Sequence, residues 1–112
     1  MEEVKAITRN IRISPRKVRI VIDLIRGMDA GEALAILRHT PKAATPVVEK
    51  TLKSAMANAE NNNDMNIDKL YISTTYVDAG TIMKRVHPRS RGQAFAILKR
   101  TSTLTVKVAE RD

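Results

Sequence analysis

From Val4 to Ile13 the chain alternates in the manner of a strand, with Ile7, Ile11 and Ile13 on one parity. Lys5 and Arg9 share that parity, so the alternation is imperfect. Ser14-Pro15 then marks a helix start. A serine hydroxyl accepts from the free N–H groups of a first turn, and proline at the first helical position forfeits no hydrogen bond. Val18, Val21, Ile22 and Ile25 follow at i, i+3, i+4 and i+7, which makes one buried stripe. Gly27 is placed to close this helix in the left-handed conformation. Asp29 and Glu32 have capping-box spacing ahead of a short helix that buries Ala33, Ile36 and Leu37 and has His39 near its end. A third helix has two possible starts, Thr40-Pro41 and Thr45-Pro46. If it begins at Pro41, Pro46 removes a backbone bond and kinks its first turns. Val48, Leu52, Ala55, Met56 and Ala59 form its apolar stripe, and Glu49 and Lys53 pair at i, i+4 on the other side. Asn61-Asn62-Asn63-Asp64 ends it, because these residues tolerate turn and left-handed conformations.

Leu70 to Asp78 alternates again, with Leu70, Ile72, Thr74 and Tyr76 facing one way and Tyr71, Ser73, Thr75 and Val77 the other. Leu104, Val106 and Val108 alternate with Thr103, Thr105 and Lys107. These two strands pair most simply as antiparallel neighbours joined by a very long hairpin. The expected fold class is therefore α+β: three helices packed on a small three-stranded antiparallel sheet, with a long basic β-hairpin extension. One domain is expected over residues 1–112, its globular part at 1–79 and 101–112 and its extended hairpin at 80–100.

Charge changes what this fold is for. The 112 residues carry a net charge of +8, with an isoelectric point near 10.2. From Ala79 to Ala109 there is no Asp or Glu, whereas Lys84, Arg85, Arg89, Arg91, Lys99, Arg100 and Lys107 all fall there, with His87 among them. Pro88 and Gly92 interrupt the segment, and its apolar residues are scattered. A projecting arm that buries nothing alone calls for a polyanion around it, and nucleic acid fits best. Arg12, Arg16, Arg19 and Arg26 fall away from the buried stripe of the first helix. They form either an ordinary solvated face or a phosphate-contacting face beside a helix N-terminus. The chain has no cysteine, which removes disulfides, Cys-based zinc sites and thiol catalysis. His39 and His87 lie in unrelated contexts, no phosphate-cradling glycine loop or metalloprotease motif occurs, and Asn62, Asn63, Asp64 and Asp68 read as a helix-ending turn rather than a metal site. No enzymatic activity, cofactor or metal is expected. No apolar run reaches the ~18 residues of a membrane span, and no membrane partner is expected.

Arg12-Ile13-Ser14-Pro15-Arg16-Lys17-Val18-Arg19, with Asp23-Leu24-Ile25-Arg26-Gly27, resembles the N-terminal signature of ribosomal protein twenty-two of the large subunit. Ser54-Ala55-Met56-Ala57-Asn58-Ala59, Met83-Lys84-Arg85 followed by Pro88-Arg89 and Arg91-Gly92, and Lys99-Arg100-Thr101-Ser102 carry the same resemblance, collinear over essentially the whole chain and nearest the bacterial form. The resemblance implies a structural constituent of the large ribosomal subunit that binds 23S rRNA, aids early assembly and is cytoplasmic. It also implies that the hairpin lines the nascent-polypeptide exit tunnel near the macrolide site. The RNA-binding residues it implies are Arg12, Ser14, Arg16, Lys17, Arg19, Lys84, Arg85, His87, Arg89, Arg91, Lys99 and Arg100. The tunnel-lining tip would be Pro88, Arg89, Ser90, Arg91 and Gly92. Partners would be the rRNA, neighbouring large-subunit proteins and the nascent chain, with no homo-oligomer. The family pattern is departed from at Ala79, Thr81, Gln93, Ala96 and Thr103, which thins the charge on the return arm. A free-standing RNA chaperone or architectural nucleic-acid-binding protein using the same arm is the alternative.

Overall fold

The structure is a computed structural model and describes residues 2–80, 83–88, 94–99 and 101–111. Strands β1 (Val4–Ile11), β2 (Leu70–Ala79) and β5 (Ser102–Glu110) form an antiparallel sheet in the order β1-β5-β2. Helices α1 (Pro15–Ile22), α2 (Ala30–Arg38) and α3 (Thr45–Asn63) cover one face of it. Strands β3 (Met83–Pro88) and β4 (Ala94–Lys99) make a separate two-stranded ribbon. The last strand in the chain is thus the central one in the main sheet.

The helical stripes are buried as their spacing requires. Val18, Val21, Ile22 and Ile25 have no exposure, nor do Val48, Leu52, Ala55 and Ala59. α3 lies across β1 and β5, α1 lies against β2, and α2 packs on α3. α3 begins at Thr45 with Pro46 in its first turn, which decides between the two possible starts and leaves no proline inside the helix. Asp64, at φ 52°, ends it in the left-handed conformation. The Glu49–Lys53 pair closes at 3.1 Å.

The strands depart from simple alternation, and both departures have one cause. In β1 the buried side chains are Val4 and Ala6, opposite Val108 and Val106, whereas Ile7 is 38% exposed. The register slips between Thr8 and Ile11, where Asn10 takes φ 58°. An extra residue in one strand reverses the parity beyond it, so Ile11 returns to the buried side opposite Ser102. Ile7 and Ile11 therefore do not share a face, and the strand stops at Ile11 rather than Ile13. In β2 the register slips between Ile72 and Thr74. Leu70 and Ile72 before the slip, and Thr75 and Val77 after it, all enter the core. The expected grouping of Leu70 and Ile72 with Thr74 and Tyr76 is corrected by this bulge.

The helix ends also differ from expectation. Ser14 is the N-cap of α1 with extended backbone, but its hydroxyl makes no cap bond; its carbonyl accepts from Lys17 and Val18 at 3.1 and 3.2 Å. α1 ends at Ile22, and successive tight turns carry the chain to Gly27, which takes φ 79°. Asp29 precedes α2 without a side-chain cap bond. Its carboxylate meets Arg111 at 3.3 Å instead. Arg111 also donates to the Gly27 carbonyl at 3.0 Å and lies over the Tyr71 ring at 4.2 Å, so the end of β5 is fastened to the α1–α2 connection. Ile36 is half-buried rather than buried.

Candidate nucleic-acid interface

β1 and β2 both reach their ends against the beginning of β5. Ser102 is opposite Ile11 on one side and Ala79 on the other. The fully buried Ser102 hydroxyl donates to the carbonyl of Ile13. This bond ties the Arg12-Ile13-Ser14 bend to the place where the chain leaves and re-enters the sheet. Next to it the Gly80 N–H donates to the Thr101 carbonyl at 2.9 Å. A Cβ on Gly80 would meet Thr101 Oγ1 at 2.6 Å, so the base of the ribbon closes only because residue 80 lacks a side chain.

Arg12, Arg16 and Lys17 stand at this end of the sheet, exposed and with no partner among the described residues. Two arginines further along, Arg19 on α1 and Arg26 in the turns that follow it, are used differently. Arg26 donates to the Thr75 carbonyl at 2.6 Å and pairs with Asp23 at 3.0 Å. Arg19 reaches the Val77 carbonyl at 3.4 Å. Both spend donors on the backbone of β2, a role that sequence reasoning missed because strand neighbours are not legible from helical spacing. Arg19 remains exposed. The basic residues on and around α1 thus separate into two braces along β2 and three free cations at the helix start. That start also favours anions through its N-terminal dipole.

The ribbon continues from the same end. Met83 pairs with Lys99, Lys84 with Leu98, Arg85 with Ile97, Val86 with Ala96, His87 with Phe95 and Pro88 with Ala94. Lys84, Arg85, His87 and Lys99 therefore lie on a continuous antiparallel ladder, and Pro88 ends its outgoing strand. Arg89, Ser90, Arg91, Gly92 and Arg100 lie outside the described residues. Neither β3 nor β4 makes more than marginal contact with another described element. The radius of gyration is 17.2 Å and the long axis 66 Å, against about 13 Å expected for the radius of a compact chain of this length. The ribbon leaves the domain rather than folding back on it.

Two basic segments far apart in sequence, Arg12–Lys17 and the β3–β4 ribbon, are thereby joined at one end of a small domain. Among the described residues no helix is long and apolar enough to cross a membrane. A family model for ribosomal protein L22p/L17e matches residues 6–109, and the chain belongs to that family of structural constituents of the large ribosomal subunit.

Proposed function

We propose that this chain binds 23S rRNA through the junction of Arg12, Ser14, Arg16, Lys17 and Arg19 with the ribbon residues Lys84, Arg85, His87, Lys99 and Arg100. The observation that carries the reading is the fastening of the free cations at the start of α1 to the base of the basic ribbon by the Ser102–Ile13 bond. RNA entering between them meets charge from both sides. Residues 80–100 act as an extension of the globular part formed by 1–79 and 101–112. Pro88, Arg89, Ser90, Arg91 and Gly92 form the tip that faces the nascent chain in the exit tunnel, near the macrolide site. Binding early in assembly follows from a docking surface that needs RNA alone, and the neighbouring large-subunit proteins of the cytoplasmic ribosome join it later.

The test is a titration of 23S rRNA fragments with the full-length chain at several salt concentrations, alongside co-sedimentation with large subunits. Neutralising six or so phosphates makes log affinity fall with log salt by several units. A slope near zero, or failure to co-sediment at moderate salt, removes the ribosomal RNA reading in favour of a free-standing chaperone.

A further inference from the structure

The face of the main sheet turned away from the helices carries a pattern that the junction does not use. Lys5 on β1 stands directly opposite Lys107 on β5, and Lys107 is opposite Thr74 on β2. Like charges directly opposite across a ladder are destabilising. Among the described residues, Glu3 supplies a carboxylate whose charge acts on Lys107. It reaches across the sheet to accept from Ser73 Oγ at 2.6 Å and from Thr74 Oγ1 at 3.4 Å. The Ser73 hydrogen bond, aided by the charge of Lys107, holds this carboxyl below its ordinary range although it is fully exposed. Arg9 continues the Lys5 parity, and Asp78 opposes Thr103 at the other end of the face. Beside the lysines lie Ile7, Thr105 and Tyr76 in one row, with the Lys107 ammonium 5.9 Å from the centre of the Tyr76 ring.

Resting on the reading that this chain binds rRNA, we infer that this open sheet face is a second RNA-backbone surface, centred on Lys5 and Lys107, and that the Ser73–Thr74 hydroxyl pair is a phosphate seat occupied by the chain's own Glu3 carboxylate. An anionic oxygen held by two hydroxyls beside a lysine has the chemistry of a bound phosphate. One carboxylate does not neutralise two opposed lysines, so the face keeps an unmet demand for negative charge. A phosphate run laid along β5 meets that demand and displaces Glu3. The surface lies on the sheet, whereas the first site lies at its end, so one RNA can wrap both.

The test uses the full-length chain and a 23S rRNA transcript, with affinity measured across a salt series. Lys5→Gln with Lys107→Gln should lower the salt slope by about two, one for each lost phosphate contact. Lys42→Gln with Lys50→Gln removes equal charge from exposed, unpartnered positions elsewhere and should leave the slope unchanged. Glu3→Gln should tighten binding. Melting curves should show the sheet variant at least as stable as the parent, because it removes a repulsion. If the sheet pair behaves as the control pair does, the inference is overturned. It is equally overturned if the slope holds while binding of a neighbouring large-subunit protein is lost. An Arg12→Gln, Arg16→Gln variant separates the two readings. If the parent fails to bind, or this variant leaves the slope intact, the rRNA reading itself falls.

Discussion

Gly80 and Arg26 show how single residues set the geometry of the interface without touching a ligand. Gly80 approaches Thr101 so closely that an added methyl would fall 2.6 Å from its hydroxyl, and Thr101 is buried at 4% exposure. Gly80→Ala is expected to destabilise by about 1–3 kcal/mol, the range for overpacking. The penalty should shrink in a Thr101→Ala background, because residues in contact are not additive; a urea double-mutant cycle reads this directly. An unchanged penalty would place the strain elsewhere. Arg26 supplies the contrast to the free cations. Its side chain is half exposed, and its bond to the Thr75 carbonyl is short, at 2.6 Å, and part-buried, whereas its pair with Asp23 is exposed. Arg26→Gln should lower stability by about 1 kcal/mol and leave the salt slope of RNA binding unchanged. Arg12→Gln should do the reverse. Equal effects of the two on RNA affinity would undo the separation of braces from contacts.

At the scale of elements, what the sequence makes legible follows from how each periodicity is read. The three helices and their buried stripes are legible because one stripe at helical spacing allows one buried face. Strand faces are less so. A single bulge inverts every side chain beyond it, and Asn10 and Ser73 each sit at one. Asparagine tolerates positive φ, so Asn10 is a signal that a closer reading can use; Ser73 gives none. Ser14 and Asp29 occupy cap positions, yet no side-chain cap bond forms at either. The exposed cations of the junction are legible as charge off a stripe, but the Lys5–Lys107 opposition depends on strand order, which local pattern does not encode. The ribbon is the element whose removal tests the division of labour. Gly80 and Thr101 are already paired, so replacing residues 81–100 by Asn-Gly leaves a two-residue hairpin of a favoured type. The melting midpoint should move by less than about 5 °C, equivalent to about 1 kcal/mol in a domain of this size. Leu52→Ala, at a site with no exposure, should cost about 2–5 kcal/mol. A ribbon-less chain that melts as low as the Leu52 variant would mean that the ribbon belongs to the core.

The whole molecule is closed by its last strand. β5 pairs with β1 on one side and β2 on the other, and its Leu104, Val106 and Val108 are fully buried. Without it β1 and β2 have no partner, since they do not pair with each other, and the helices lose the centre of the surface they cover. Arg111 then locks the end of β5 to Asp29 and the Gly27 carbonyl, more than eighty residues earlier in the chain. Local helical pairs can form early, whereas the sheet needs contacts of long sequence separation, whose loop-closure entropy must be met first. A chain ending at Arg100 is therefore expected to lack a cooperative thermal transition, although its helices retain some circular dichroism. A peptide spanning 101–112 supplies the missing strand in trans, as an extended segment added between two open edges. Mixing the two should restore a single sharp transition whose midpoint rises with peptide concentration, as linkage requires of a ligand that binds only the folded form. A Val106→Asp peptide should fail to restore it, because that side chain would carry an unpaired charge into the core. If the chain ending at Arg100 unfolds cooperatively without any peptide, the central position of β5 is not what holds the domain together.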